Sequence, residues 1–375
     1  GILACGAIAL TSCQDDILEG GGIPAQVGDA IVFGGSMNFE DANEGKTRTV
    51  YGDRINQGNE NDATEIKWIE GDGVRIYCEQ AYGAKFCDYR ISGGFSGTGT
   101  ITGNGNDNNY ETCALTKLDE SAEDLQWGTT GNHNFYGVYP SPAHLKNAGD
   151  DIAANALKLE NNKLTGYLPN TQAPTRYLAP TKIATKDVNG NDIEGSHYTI
   201  HPAMRNAYMV ATKATNPTGS VTLQFKPIVT ALEITLVNNS THEGQLGNEG
   251  IDLENVSLIN ITSSTAPLCG YFETDIDNLE NTNLNSDASY KTIGIPVKGA
   301  DGNPITLKYG DKITVTGFMV LPDDLNSISI SIVAGGTTKV ATIKGNNGIS
   351  VLETKKKNFI ANIPISWNSS DKVSI

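Results

Sequence analysis

The residue best placed for covalent chemistry is Cys13, in the stretch ILACGAIALTSCQDD. Small and apolar residues run from Ile2 to Leu10, and Ala9-Leu10-Thr11-Ser12-Cys13 has the form of a lipobox. In that motif small residues suit a signal peptidase and the cysteine thiol takes the lipid. An N-terminal core strand ending in an ordinary cysteine would explain the apolar run, but nothing downstream reads as its partner. The sequence shows neither an initiator methionine nor the basic start of a signal, so it reads as beginning inside its own signal peptide, with Gly1 a cloning remnant. The expectation is a protein anchored at Cys13 rather than one that spans a membrane. Each buried acyl methylene contributes about 0.8 kcal/mol, and stable anchoring takes more than one chain, which a multiply acylated cysteine supplies. Gly20 to Gly22 then reads as a flexible tether.

Other reactive groupings are weaker. His197 and His201 have the H-x3-H spacing, which brings two imidazoles to one metal on a helix. Here Thr199 and Ile200 favour a strand and Pro202 breaks the chain just after His201, so no metal is expected. DVNGNDIEG (187–195) resembles a calcium loop, but Asp192 stands where the EF-hand pattern needs glycine, and a turn rich in Asn and Asp is the better reading. The oxygen-rich GNGNDNNYE stretch is read in the same way. Carboxylates are plentiful without any spacing that marks a glycosidase pair, and no serine sits in a nucleophile elbow. The expectation is a protein that is not an enzyme and takes no cofactor.

The 375 residues carry six cysteines and a formal charge of -16. The acidic balance excludes nucleic acid as a partner, since that requires a basic face. With Cys5 in the signal and Cys13 lipidated, Cys78, Cys87, Cys113 and Cys269 remain. Cys78 and Cys87 flank a stretch short enough for a hairpin and can form a disulfide in an exported chain; a Cys113–Cys269 bond and reduced, buried thiols are the alternatives.

The elements that must carry these residues are strands. Period-two alternation puts Ile66 with Trp68, Val221 with Leu223 and Phe225, Leu232 with Ile234 and Leu236, and Ile328 with Ile330 and Ile332. Phe359, Ala361, Ile363, Ile365 and Trp367 align near the end, and LKNAGDDIAANALKLENN has room for a short helix. Strands with one apolar face pair face to face, so β-sandwiches are expected. The length calls for two domains. A break at ATKATNPTGS (211–220), marked by Pro217 and Gly219, divides the chain. Residues 1–29 are then signal remnant and tether, 30–212 the first domain and 213–375 the second.

Several stretches in series resemble the fimbrillin family, the FimA- and Mfa-like lipoprotein pilins and related fimbrial subunits of Bacteroidales. They are ALTSC, AIVFGGSMNF (30–39), KTRTV (46–50), KWIEGDGVRIY (67–77), NFYGVYP (134–140), LTGYLPNTQ (164–172), VTLQFKPIVTALEITL (221–236), KITVTGFMVLPDDLNSISISI (312–332) and NFIANIPISW (358–367). The resemblance implies two tandem transthyretin-like β-sandwich domains, an outer-membrane lipoprotein at the cell surface, and a place in fimbriae. It also implies an arginine-specific protease that removes the first strand, with Arg48 before the cut in an R-T bond and Arg54 as the alternative. On that reading residues 30–39 are an edge strand with Ile31 and Phe33 as its plugs, and another fimbrial subunit fills the vacated groove by β-strand addition. A tip or accessory role, with a host or bacterial surface ligand, is compatible with the same resemblance. The rival expectation is a monomeric surface lipoprotein that binds glycan or host protein through loops of the first domain.

Overall fold

The structure, a computed structural model, describes residues 25–37, 50–55, 63–69, 71–96, 99–100, 108–110, 112–129, 131–174, 176–177, 179–240, 250–320, 327–344 and 363–367. The fold is all-β. Seven strands close into a barrel, in the order β1 (Phe33–Met37), β16 (Val221–Pro227), β15 (Met209–Thr215), β9 (His133–Tyr139), β4 (Gly73–Tyr77), β5 (Phe86–Ser96) and β8 (Thr112–Lys117). A small sheet holds β2 (Val50–Ile55), β3 (Ala63–Ile69), β7 (Asn108–Tyr110) and β6 (Gly99–Thr100).

Three further sheets build the other half of the molecule. One runs β10 (Lys158–Glu160), β11 (Lys163–Leu168), β19 (Cys269–Asp275), β20 (Asn278–Tyr290). The second runs β12 (Arg176–Tyr177), β14 (Asp192–His201), β23 (Lys312–Met319), β17 (Thr230–Asn238), β26 (Ile363–Trp367), with β13 (Thr181–Lys186) on β14. The third runs β21 (Thr292–Pro296), β18 (Leu253–Ser263), β24 (Ser327–Ala334), β25 (Thr337–Lys344), with β22 (Ile305–Leu307) on β18. Two helices of one turn and a half, α1 (Pro142–Asn147) and α2 (Asp151–Ala156), occupy the stretch where the sequence left room for one. Ser141 caps α1 by accepting from the His144 N–H, and a glycine at 149 with φ 82° ends it. Among the described residues no helix is long and apolar enough to cross a membrane.

Alternation fixes what each strand buries. Along β16, Val221, Leu223 and Phe225 are inside while Thr222, Gln224 and Lys226 are exposed. The barrel interior is one apolar cluster, with Phe33, Ile76, Tyr89, Ile91, Phe135 and Leu223 among its members. The other half has its own, larger cluster. There the sheets containing β23 and β18 pack face to face as a sandwich: a Cβ built on Gly317 of β23 would stand 2.8 Å from Ile261 Cδ1 of β18. The barrel and sandwich share a seam, because Val138 of β9 and Val210 of β15 are buried in the sandwich's cluster rather than in the barrel's.

The strands are not divided at 212. Residues 211–215 belong to β15 and 216–220 turn the chain into β16; Met209 pairs with Pro227 and Ala211 with Phe225, so β16 belongs to the barrel. In the other direction β11 pairs with β19 and β14 with β23, which places residues 158–201 in the sandwich. The chain leaves the barrel, contributes to the sandwich, returns for β15 and β16, and crosses again between β16 and β17.

Candidate functional site

The first described strand lies inside a closed barrel, not at an edge. Phe33–Met37 pairs in parallel with Val221–Phe225 on one side, and Phe33–Ser36 pairs antiparallel with Thr112–Leu115 on the other. The lead-in is tied as well: Ile31 N–H donates to Leu125 O at 2.9 Å, and Gly28 and Asp29 exchange hydrogen bonds with Trp127 at 2.9 Å each. On the outer side, Val221 N–H donates to Val32 O at 2.8 Å. Every strand of this barrel has two neighbours, so removing β1 would expose two facing rows of backbone donors and acceptors. The gap between β8 and β16 is one strand wide, roughly 10 Å at the usual strand spacing.

Side chains complete the slot. Ile31 and Phe33 point in and are 5% and 2% exposed, whereas Val32 between them is 61% exposed. Phe33 sits edge-on to Tyr89 and Phe135, with ring centroids 5.2 and 5.5 Å away. Each such burial stabilises by about 1.5–3 kcal/mol. Gly35 continues the inward face, and a Cβ there would lie 3.0 Å from Cys113 Sγ, 3.7 Å from Trp68 Cζ2 and 3.8 Å from Phe225 Cε2. Trp68 is fully buried, edge-on to Phe225 at 5.2 Å and Tyr139 at 5.8 Å. Its Nε1 has no hydrogen-bond partner among the described residues. Burial pushes the Cys113 thiol up to about 12. The Tyr89 hydroxyl is raised for the same reason.

Ile31 and Phe33 are thus core residues on the inward face of β1. Gly35, Trp68 and Cys113 belong to the same site and were missed; the usable signal was a Gly-Gly pair inside a strand pattern, which marks a close approach. Cys13 and Arg48 lie outside the described residues. Arg54 is on β2, paired with Thr64. The expected Cys78–Cys87 disulfide is absent: both are free, buried thiols. Across the β4–β5 ladder Cys87 faces Ile76, so Cys78 has no cysteine opposite it. His197 Nε2 lies 2.8 Å from Thr314 Oγ1, and His201 pairs with Arg176 on β12, so the two histidines serve strand contacts. Within DVNGNDIEG, residues 187–191 are the β13–β14 turn, where Asp187 Oδ1 accepts from the Asn189 and Asn191 N–H groups, and Asp192–Gly195 begin β14.

A second feature lies on the open face of the β11–β19 sheet. Tyr167 and Tyr271 stand opposite each other with ring centroids 4.8 Å apart. Tyr271 and Tyr290 are 41% and 45% exposed. Partial burial, with Tyr290 next to it, pushes the Tyr167 hydroxyl up to about 12.

The class so defined is an all-β protein of barrel plus sandwich, whose first described strand is the stave that closes the barrel. No family model matches the chain, and no curated protein matches it. Solved structures similar to it include a candidate cell adhesion protein from Bacteroides ovatus, at 12% identity and TM-score 0.41, covering 84% of this chain and 87% of that one. Another from Bacteroides uniformis has 10% identity and TM-score 0.41 over 90% and 94% of the two chains. The fimbrial anchor protein Mfa2 from Porphyromonas gingivalis has 9% identity and TM-score 0.31 over 90% and 91%.

Proposed function

We propose that this protein is a subunit of cell-surface fimbriae, structural or accessory, that contributes to adhesion without catalysis. In this reading it is anchored in the outer membrane through lipid on Cys13. An arginine-specific protease cuts after Arg48, or after Arg54, and releases β1. A strand from another subunit then fills the slot by β-augmentation. The observation that carries the reading is the place of β1. It is bonded on both sides, it plugs the core with Ile31 and Phe33, and it precedes the stretch that holds Arg48. Releasing it exposes a groove already built to hold one strand. Because donor and acceptor surfaces differ, such assembly runs head to tail and need not close. Residues 365–369 are a candidate donor, since Ile365, Trp367 and Ser369 repeat the aliphatic, aromatic and small spacing of Ile31, Phe33 and Gly35.

The test is limited digestion with an arginine-specific protease, then N-terminal sequencing and sizing. The expected result is a new terminus at Thr49, loss of β1, and capture of donor-strand peptides. A cut protein that stays monomeric and captures no peptide refutes the reading. That result would favour a second reading, a monomeric surface lipoprotein that stacks a glycan on Tyr167, Tyr271 and Tyr290, for which the exposed tyrosine cluster speaks.

A further inference from the structure

We infer that the slot selects its occupant by register: it takes a strand parallel to β16 whose alternate inward residues are aliphatic, aromatic, and then glycine or serine. The inference rests on the reading of β1 as exchangeable and specifies what replaces it.

The three inward positions of the resident strand differ sharply in the space they meet. Ile31 enters beside Leu125, whose carbonyl accepts its N–H at 2.9 Å. Phe33 fills the space between Tyr89 and Phe135. At Gly35 even one added carbon would come within 3.0 Å of Cys113 Sγ, closer than ordinary packing allows without the sulfur moving. The wall there is made of Cys113, Trp68 and Phe225, buried to 1%, 0% and 2% exposure, so it has little room to yield.

This asymmetry forbids sliding. A shift of two residues one way drives Phe33 into the place that has no room for a ring. The opposite shift leaves a hydrogen atom between Tyr89 and Phe135, where a phenyl ring belongs. A shift of one residue turns the outward face, with Val32, into the core. Reversing the strand about Phe33 would exchange its parallel ladder on β16 with its antiparallel ladder on β8 and bring Ile31 to the place of Gly35, where even a Cβ meets Cys113 Sγ at 3.0 Å.

Trp68 adds a chemical preference. Cζ2 lies on the N–H side of the indole and faces Gly35 at 3.7 Å from the built Cβ, while the buried Nε1 has no partner among the described residues. A serine at this position has a hydroxyl that accepts from that donor, and its single extra carbon asks the sulfur to move by a few tenths of an ångström. Alanine asks for the same movement and brings no acceptor. Larger side chains are shut out.

The experiment uses the chain cut once between β1 and β2, incubated with fluorescent peptides of residues 29–37. The probes are the wild-type sequence, G35S, G35A, G35L, and the exchanged pair F33G/G35F. The expected order of retention is wild type and G35S, then G35A, with G35L and F33G/G35F roughly tenfold to a hundredfold weaker. Equal retention of all peptides overturns register selection while leaving strand exchange intact. Equal retention of G35S and G35A overturns the part assigned to Trp68. If no peptide enters, the exchange reading fails, and the uncut chain still decides the register rule. There Gly35→Leu must speed thiol labelling of Cys113 at least tenfold over Gly34→Leu, because a Cβ on Gly34 meets only Cys113 O at 3.4 Å and Thr222 Oγ1 at 3.8 Å. Equal labelling of those two variants overturns the inference.

Discussion

Truncating Phe33 to alanine should loosen the first strand without loosening the rest of the molecule. Phe33 is 2% exposed and stands edge-on between Tyr89 and Phe135, both held by strands of a closed barrel, so the cavity left behind cannot collapse easily. Phe-to-Ala changes in such settings destabilise by about 3–5 kcal/mol. Val32→Ala removes a side chain that is 61% exposed and should change stability by less than about 0.5 kcal/mol. The assay is already in the molecule. Cys113 is 1% exposed on β8 beneath Gly35, and its thiol is pushed up to about 12. The thiolate is the reactive form, so labelling near neutral pH waits for β1 to lift. If opening is local, Phe33→Ala accelerates Cys113 labelling by roughly two to three and a half powers of ten, one for each ~1.4 kcal/mol. Cys269, fully buried in the sandwich and likewise raised to about 12, is the internal reference and should keep its rate. Two results refute the reasoning: equal effects of Phe33→Ala and Val32→Ala, or equal acceleration of Cys113 and Cys269. The second would mean that β1 separates only when the whole chain unfolds.

Other expectations rest on individual contacts. Gln172 is 2% exposed and stands in for a missing strand, its Nε2 donating to Phe318 O at 2.7 Å and its Oε1 accepting from Phe318 N–H at 2.8 Å. Gln172→Ala should therefore lower the unfolding free energy by about 2–4 kcal/mol in denaturant titration, since two buried backbone groups lose their partners. Gly137→Ala puts a Cβ 2.8 Å from Phe225 Cζ, and calorimetry should show a loss of about 1–3 kcal/mol; Gly219→Ala, with nothing within 4 Å, should be close to neutral. His144 is held below its ordinary pKa by burial and then by Arg205, and His197 by burial and then by Lys312. The unfolded imidazoles take protons first, near pH 6.5, so stability should fall as pH drops through that value toward 5. A His144→Gln/His197→Gln double variant should show a shallower fall in Tm. Under the second functional reading, Tyr271→Ala should abolish retention on a glycan array while leaving Tm within a degree or two.

The sequence made individual strands legible wherever alternation was strict. Val221, Leu223 and Phe225 are buried as their spacing requires, and so are Ile328, Ile330 and Ile332. Strand partners were not legible, because pairing β1 with β16 depends on tertiary packing and leaves no local mark in either segment. Residues 216–220 join β15 to β16 as a hairpin, and Pro217 and Gly219 serve a hairpin as well as they would serve a linker. Ile228 and Val229, where the chain crosses from barrel to sandwich, are apolar and buried to 1% and 2%, so composition gives no hint of a boundary. The slot was half visible. Its large plugs announced themselves by type, whereas Gly35 acts through the absence of a side chain and Trp68 through a neighbour far along the chain.

The two ends of the described chain make a contrast that bears on which strand is exchangeable. Both β1 and β26 join their sheets in parallel, β1 on β16 and β26 on β17, two strands separated only by Ile228 and Val229. β1 is bonded on both sides and β26 on one among the described residues. Breaking one ladder costs less than breaking two, so on the ladders among the described residues β26 would be surrendered more easily than β1. A donor that leaves one ladder and enters a site with two makes a net gain in backbone pairing, and the Ile31 and Phe33 pockets add the burial that an edge does not offer. Under the proposed exchange, the resident β1 has to be removed irreversibly, because while covalently attached it competes at a very high effective concentration. Cutting the chain between β1 and β2 is what removes that advantage. On that proposal, substituting both Arg48 and Arg54 with alanine should leave a folded protein that does not polymerise, with sizing and N-terminal sequencing as the readout. Polymers formed by that double variant would show that β1 is not the gate.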